Sequence, residues 1–337
     1  MTRDQFAGIV SRFAQQYVLV IGDLMLDEFV WGKVSRISPE APVPVVNVTS
    51  ESYYPGGAAN VARNVREFGA RTSVLGAIGA DAAGERLLGL LGECGIDTAG
   101  VRRVKGGATP VKTRIIARNQ QVVRVDRERK TLLTAEEMER AMRDCEDAIA
   151  KADGIVVADY GKGFLTQALA DFICEMARKH RKVLAIDPHP HTSLAWSGAT
   201  AVKPNRLEAF LAAGMPWSEP FEPAFSDAAL LNAGRVLLER WQPESLLVTL
   251  GEQGMLLFRR GAAPYHIPTC AKDVFDVSGA GDTALGVFTL GLCAGASAVE
   301  AAEMANYASG IVVGKLGTAT TNPSELLTTF DALRAGV

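Results

Sequence analysis

The sequence carries only four histidines and five cysteines in 337 residues. The cysteines, Cys94, Cys145, Cys174, Cys270 and Cys293, are scattered, odd in number and never spaced C-x-x-C. That excludes a secreted disulfide framework and a thiolate zinc site, and predicts reduced thiols in a cytoplasmic compartment. His189 and His191 form one H-x-H pair, but Pro190 interrupts it and no cysteine is near, so zinc is not predicted. Basic residues do not dominate: 35 Lys and Arg stand against 38 Asp and Glu, with no dense basic run, which argues against nucleic acid as a partner. Gly-Lys occurs at Gly32-Lys33, Gly161-Lys162 and Gly314-Lys315, and the next residue is Val34, Gly163 or Leu316, never Ser or Thr. The Walker phosphate loop is therefore absent. The uncharged run Thr283 to Val299 is short for a membrane span and rich in small residues, which predicts a closely packed buried helix. Met1 to Gln16 is charged and lacks the apolar core of a signal peptide.

What is present is an ordinary soluble composition, 48% hydrophobic and 22% charged, enough for a full core, with 33 glycines for turns and close backbone approach. Length alone leaves open one large α/β domain or two. The organising stretch is Asp276-Val277-Ser278-Gly279-Ala280-Gly281-Asp282-Thr283, between a short β-type segment, Pro264 to Cys270, and the apolar run. Gly279, Ala280 and Gly281 leave backbone N–H groups bare at a helix start, which suits phosphate. Asp282 does not belong in a pure anion cradle, because like charges repel. It does belong in a catalytic site, as a base taking a hydroxyl proton while the amides neutralise an arriving phosphoryl group. The plain alternative is a glycine turn with an acidic helix start.

In chain order, Tyr17 to Ile21 reads as a buried parallel strand ending at Gly22-Asp23, with Asp23 and Asp27 either accepting hydrogen bonds from sugar hydroxyls or serving as a helix cap and a surface acid. Glu28 to Tyr54, interrupted by Pro39, Pro42 and Pro44, reads as an extended flap with short β-type pieces. Gly56 and Gly57 open a helix to about Phe68 with Asn60 in its first turns. Val111 to Asp126 reads as a hairpin turning at Asn119-Gln120, with Lys112, Arg114 and Arg118 on one face: either a lid holding an anion or a solvated stripe. From Ala135 onward a regular βα rhythm places Asp159, Asp187, Asn205 and Gly251 just past strand ends, as in a doubly wound sheet with one ligand edge. Asn205 and Glu208 share a helical face at i, i+3, which fits either hydrated Mg²⁺ or a capping box.

The succession Gly22-Asp23…Asp27, Gly56-Gly57-x-x-Asn60, Asn205-x-x-Glu208, Thr249-x-Gly251-x-x-Gly254 and Asp276-x-x-Gly279-Ala280-Gly281-Asp282 resembles the ribokinase (carbohydrate kinase) family over nearly the whole chain. The resemblance implies a ribokinase-like α/β fold: a mostly parallel sheet flanked by helices, as one kinase domain over 1–337 with a small β-sheet lid from segments about 28–54 and 103–127. Ser35 to Pro44, Arg118 to Gln121 and Val313 to Thr318 are similar to the branch that phosphorylates the anomeric C1 hydroxyl of a heptose 7-phosphate for lipopolysaccharide inner-core synthesis. On that resemblance Asp282 would be the base and 279–282 the anion hole. Asn205 and Glu208 would organise Mg²⁺ and ATP, with Thr249, Gly251, Gly254 and Asn306 on the nucleotide. Asp23, Asp27, Gly56, Gly57 and Asn60 would hold sugar hydroxyls. Asp276, Ser278, Val312, Gly317 and Thr321 fall in register with a monovalent-cation (K⁺) loop; Ser278 stands where the family's pattern has Thr.

For the phosphate already on the sugar, the sequence offers Lys112, Arg114, Arg118 and Lys162, the last between two glycines. Free sheet edges in the lid predict a homodimer through it. Many relatives in the heptose branch are fused to a nucleotidylyltransferase; no H-x-G-H is present, so that activity is expected from another protein. Other readings are a kinase for a hexose 6-phosphate, a catalytically dead family member, and a dehydrogenase. The last rests on the formal match Gly279-x-Gly281-x-x-Ala284, which puts Asp282 where a pyrophosphate would lie.

Overall fold

The structure, a computed structural model, describes residues 1–335 except 119 and 272. Nine strands form the main sheet: β1 (Tyr17–Gly22), β4 (Arg71–Gly79), β5 (Asp97–Val104), β8 (Gly154–Ala158), β9 (Val183–Asp187), β10 (Ala201–Val202), β11 (Ser245–Thr249), β12 (Met255–Arg259) and β13 (Tyr265–Ile267). Their order is β13-β12-β11-β10-β9-β8-β1-β4-β5, parallel from β5 to β11 and antiparallel at β12 and β13. Side chains of β1 show why the sheet is central. Val18 and Val20 join one apolar cluster and Leu19 and Ile21 the other, so alternate residues are buried on opposite faces.

One face is covered by α1 (Arg3–Phe13), α2 (Ala58–Glu67), α3 (Ala82–Glu93), α8 (Ala280–Cys293), α9 (Ala298–Val313) and α10 (Pro323–Ala335). The other carries α4 (Ala135–Lys151), α5 (Gln167–Lys179), α6 (Arg206–Ala213) and α7 (Ala228–Trp241). The uncharged run after Thr283 is a buried helix, α8, followed by the Ser297-capped start of α9. No described helix is long and apolar enough to cross a membrane. Helices α1, α9 and α10 and strands β5 and β12 escaped the sequence pattern. β5 is half exposed at the sheet edge and alternates weakly, and β12 returns antiparallel after the Gly251–Gly254 turn.

A second sheet, in the order β3-β2-β6-β7, is built from β2 (Leu24–Ile37), β3 (Pro44–Gly57), β6 (Val111–Ala117) and β7 (Gln120–Arg127). The expected short β pieces of the flap are two paired 14-residue strands, with the three prolines placed between them or at an end. Asn119, half of the expected hairpin turn, lies outside the described residues. The lid sheet leaves the main sheet directly after Asp23 and rejoins it at Gly57, where α2 begins. It therefore stands over the carboxyl ends of β1 and β8, where the strand order reverses and open α/β sheets bind ligands.

Candidate active site

Asp282 lies in the first turn of α8, behind Gly279 as N-cap with φ +83°. A Cβ on Gly279 would come within 2.9 Å of the Asn60 amide, so this corner admits only glycine without displacement. Two donors fix the carboxylate. The Asn60 Nδ2 donates to Oδ2 at 2.6 Å and the Tyr160 hydroxyl to Oδ1 at 2.5 Å. Asn60 is itself held: Asn64 donates to its carbonyl at 2.9 Å and accepts from Thr283 at 2.7 Å. Burial pushes the Asp282 carboxyl up to about 6, against the two hydrogen bonds, which favour the ionised form. Burial, then the negative charges of Asp282 and Asp187, raise the Tyr160 phenol well above its usual range, so it remains a donor. A half-buried carboxylate pushed up to about 6, at a helix start, can accept a proton near neutral pH. Of the N–H groups expected to be bare there, that of Ala280 is not, because it donates to the Val277 carbonyl at 3.2 Å.

Two cavities meet at this corner. One, of about 210 Å³, lies under the lid and is lined by Met25, Asp27, Gly57, Lys112, Arg114, Tyr160, Ser278, Gly279, Gly281, Asp282 and Thr318. The other, of about 450 Å³, lies between the ends of β11 and β12 and helices α8 and α9. Thr249, Gly251, Gly254 and Asn306 line it together with apolar Val274, Val277 and Val313. Gly281 lines both.

The lid brings together only part of the expected cationic face. Asp27 pairs with Lys112 in register, and Arg114 Nη1 donates to Asp27 Oδ1 at 2.6 Å in a buried ion pair. Burial raises the Asp27 carboxyl even so, with Arg114 opposing. Gly56 gives Asp27 its room, since a Cβ there would lie 2.7 Å from Oδ2. Lys112 lines the cavity and makes no ion pair among the described residues. Arg118 does not share the face. It leaves the strand with φ +52° and donates to the Val34 carbonyl at 3.2 Å, away from the cavity. Lys162 does not line the cavity either, because its ammonium is drawn 2.6 Å from Glu128.

Asp23 also departs from expectation. Its carboxylate accepts the backbone N–H groups of Tyr160, Lys162 and Phe164 at 3.0 to 3.2 Å, so it shapes the loop that carries Tyr160 and does not line the cavity under the lid. Asn205 and Glu208 form the reciprocal capping box of α6. Glu208 is pushed up to about 7 by burial and then by Asp187. Three carboxyls, Asp187, Glu208 and Asp282, surround the single ammonium of Lys203, an excess of negative charge that a divalent cation would offset. No cluster of three acidic, His or Cys ligands exists among the described residues, so such a metal would keep waters and phosphate oxygens as ligands. In the candidate cation loop Asp276 accepts N–H bonds from Ser278 and Gly317, and the Val312 carbonyl accepts from Lys315. The buried Thr321 hydroxyl has no hydrogen-bond partner among the described residues, which suits an oxygen ligand to a cation.

Tyr160, Lys203, Asp187 and Met25 escaped the sequence reading as site residues. Tyr160 sits just past the end of β8 and Asp187 is the last residue of β9, so their position relative to the strands was the available signal. Lys203, adjoining the two-residue β10, read as the last residue of that strand.

Residues 15–325 match the model of the pfkB family carbohydrate kinases. The chain belongs to this family. As a pfkB-family carbohydrate kinase it is 43% identical over 317 residues to the Bifunctional protein HldE of Desulfatibacillum aliphaticivorans, covering 94% of this chain and 63% of that one. It is 44% identical over 329 residues to the protein of that name from Pelobacter propionicus, covering 97% and 66%. The chain thus spans slightly under two thirds of these curated relatives. Among solved structures, Arabidopsis thaliana ribokinase complexed with ribose and ATP is similar with a TM-score of 0.71 at 18% identity, covering 93% of this chain and 98% of that one. Phosphofructokinase-2 from Escherichia coli in complex with potassium gives 0.74 at 19%, covering 95% and 99%. The pfkB-family fold is therefore that of the ribokinase-like kinases.

Proposed function

We propose that this carbohydrate kinase transfers the terminal phosphoryl group of ATP to the anomeric C1 hydroxyl of D-glycero-D-manno-heptose 7-phosphate, giving the 1,7-bisphosphate. One observation carries the reading: Asp282 stands where a charged cavity under the lid meets a larger, partly apolar cavity, with Gly281 in the wall of both. The larger cavity suits a nucleotide, and Lys112 in the smaller suits a sugar phosphate. The choice of heptose rests on the similar stretches Ser35 to Pro44 and Val313 to Thr318. Asp282 takes the C1 proton, Tyr160 and Asn60 hold that carboxylate in line, and the N–H groups of Gly279, Gly281 and Asp282 receive the phosphoryl charge, that of Ala280 being taken by Val277. Mg²⁺ held by the triphosphate and water, near Asn205 and Glu208, supplies further charge neutralisation when bound. Potassium would sit at Asp276, Ser278, Val312, Gly317 and Thr321.

The kinase would act as a single domain in the cytoplasm and as a homodimer through the lid. All of β7 is exposed, and Val122, Val123 and Val125 stand 39 to 46% open to solvent. Light scattering at micromolar concentration should give twice the chain mass; a monomer contradicts the dimer. A panel of free sugars, hexose 6-phosphates and heptose 7-phosphate, scored by ADP release, tests the substrate. Faster turnover of a hexose 6-phosphate would move the assignment to that sugar.

A further inference from the structure

Asn60 and Asn64 lie one turn apart on the same face of α2, and both are buried, 1% and 0% exposed. Asn60 meets Asp282 with the Nδ2 end of its amide, at 2.6 Å. An amide has one donor end and one acceptor end, so a reversed Asn60 would aim a carbonyl oxygen at the carboxylate. Asn64 decides which end faces it. Its Nδ2 donates to the Asn60 main-chain carbonyl at 2.9 Å and lies 3.4 Å from Asn60 Oδ1, so the acceptor end of Asn60 is held on the Asn64 side. A main-chain carbonyl can only accept, which fixes the direction of Asn64 in turn. At its other end Asn64 Oδ1 accepts the hydroxyl of Thr283, a fully buried residue next to Asp282, at 2.7 Å. The path runs from α8 to α2 and back to α8, and every member donates in the same direction. Tyr160 holds the other carboxylate oxygen from the loop after β8 and has no share in this path.

We propose that Asn64 is a positioning residue for the base: with Thr283 it locks the Asn60 amide so that the N–H end meets Asp282. The proposal rests on Asp282 as the base in the kinase reading above and adds a residue that lines neither cavity. Apolar side chains could fill the space between α2 and α8, but only a fully satisfied polar path specifies a direction. An N–H donated to Oδ2 favours the ionised carboxylate and fixes the plane of the carboxyl group. With the lock gone, Asn60 can turn its carbonyl oxygen to Asp282, and the acid becomes harder to ionise. The other groups that face Asp282 are Tyr160 after β8, Asp187 at the end of β9 and Lys203 after β10, with Asp27, Lys112 and Arg114 across the lid cavity. None of them hydrogen-bonds Asn64, whose side-chain partners among the described residues are Asn60 and Thr283. A change at Asn64 therefore reaches the base through Asn60.

The test uses Asn64→Leu, which removes the amide at similar size, Thr283→Val, which removes only the hydroxyl, and Thr283→Ser, which keeps it. Folding is checked by thermal melting and ATP affinity by calorimetry without sugar. The pH profile of kcat is taken by ADP release at saturating ATP and heptose 7-phosphate. In Asn64→Leu and Thr283→Val, kcat should fall roughly ten- to a hundred-fold, the cost of a misplaced reacting group, while ATP affinity changes less than about twofold. The acid limb of the profile should move to higher pH by about half a unit to one unit, the size of one net hydrogen bond to the carboxylate. Thr283→Ser should return both readings to near wild type. A role in packing alone would lower the melting temperature and leave the limb in place. The proposal is overturned if kcat in the folded variants stays within about threefold of wild type, or if it falls with the limb unmoved. Should Asn64→Leu fail to fold, Thr283→Val decides. Asp282→Asn, measured beside them, separates the two readings. More than a tenth of wild-type activity there brings down the base, and the role of Asn64 with it; an inactive Asp282→Asn beside unaffected Asn64 and Thr283 variants overturns the lock alone.

Discussion

At the carboxyl edge of the main sheet, Asp23 is fixed by three backbone amides, Asp282 by Asn60 and Tyr160, and Lys203 by Asp187. In the lid, β7 is exposed along its whole length and Lys112 faces the cavity with no ion-pair partner among the described residues. The difference follows from burial. The main sheet is covered on both faces, so each charge there must be satisfied by the protein. The lid has one wet face, and its side chains can wait for a ligand. On the proposed function, the chemistry would sit on elements held by the core, and recognition of the sugar's distal end on a sheet with little core of its own.

The comparison breaks most sharply at the fixed end. Asp282→Asn keeps the shape of the corner and removes the base, so kcat should fall by at least ~100-fold while ATP binding holds or tightens. More than a tenth of wild-type activity in that variant would remove Asp282 from the role. At the free end, Lys112→Ala should raise the KM for the phosphosugar by roughly ten- to a hundred-fold, the value of one charge-assisted phosphate contact, with much less effect on kcat. An equal loss for an unphosphorylated sugar would show that Lys112 does not read the phosphate.

A pH series separates chemistry from stability. Asp282 must be ionised to act, so the rate should fall as pH drops through about 6. Asp282, Asp159 at about 6 and Glu208 at about 7 are all raised by burial. Each binds its proton more tightly folded than unfolded, so each favours the fold at low pH and loses that contribution as pH rises through its folded value. Between pH 7 and 5.5 these three groups should raise the melting temperature while the rate falls; a parallel fall of both would mean the rate loss is unfolding. The smallest effect is expected at Arg118→Ala, which loses only an exposed bond to Val34 and should change the KM for the phosphosugar by less than about threefold. A tenfold rise would return Arg118 to the phosphate-reading set.

Much of this was legible in the sequence. The buried strand at Tyr17 to Gly22 and the helix at Ala135 to Lys151 follow from apolar run and period, and the glycine corner at 279–281 from local backbone chemistry. The alternation of Lys112, Arg114 and Arg118 was legible too, but it misled. Period 2 holds only while the strand lasts, and the strand ends at Ala117. The aspartates were legible as acids past strand ends, but not as divided between tasks. Asp23 turns to amides of the loop after β8, which lies next to β1 only in the folded sheet.

The sequence by itself determined the parallel βα order, the glycine corner that bares the helix N-terminus, and the presence of an acid inside it, because these depend on residues within a few positions of one another. Only the tertiary structure decided which partners that acid has. Tyr160 follows β8, Lys203 follows β10 and Asn60 lies in the first turn of α2, between 79 and 222 positions from Asp282 along the chain, and they meet it because the strand order and the lid bring these segments to one edge of the sheet. Burial at that meeting point lifts the carboxyl to about 6, while Asp187, Glu208 and Asp282 hold Lys203 charged against the same burial, and both are properties of the packed layers, not of any local stretch of chain.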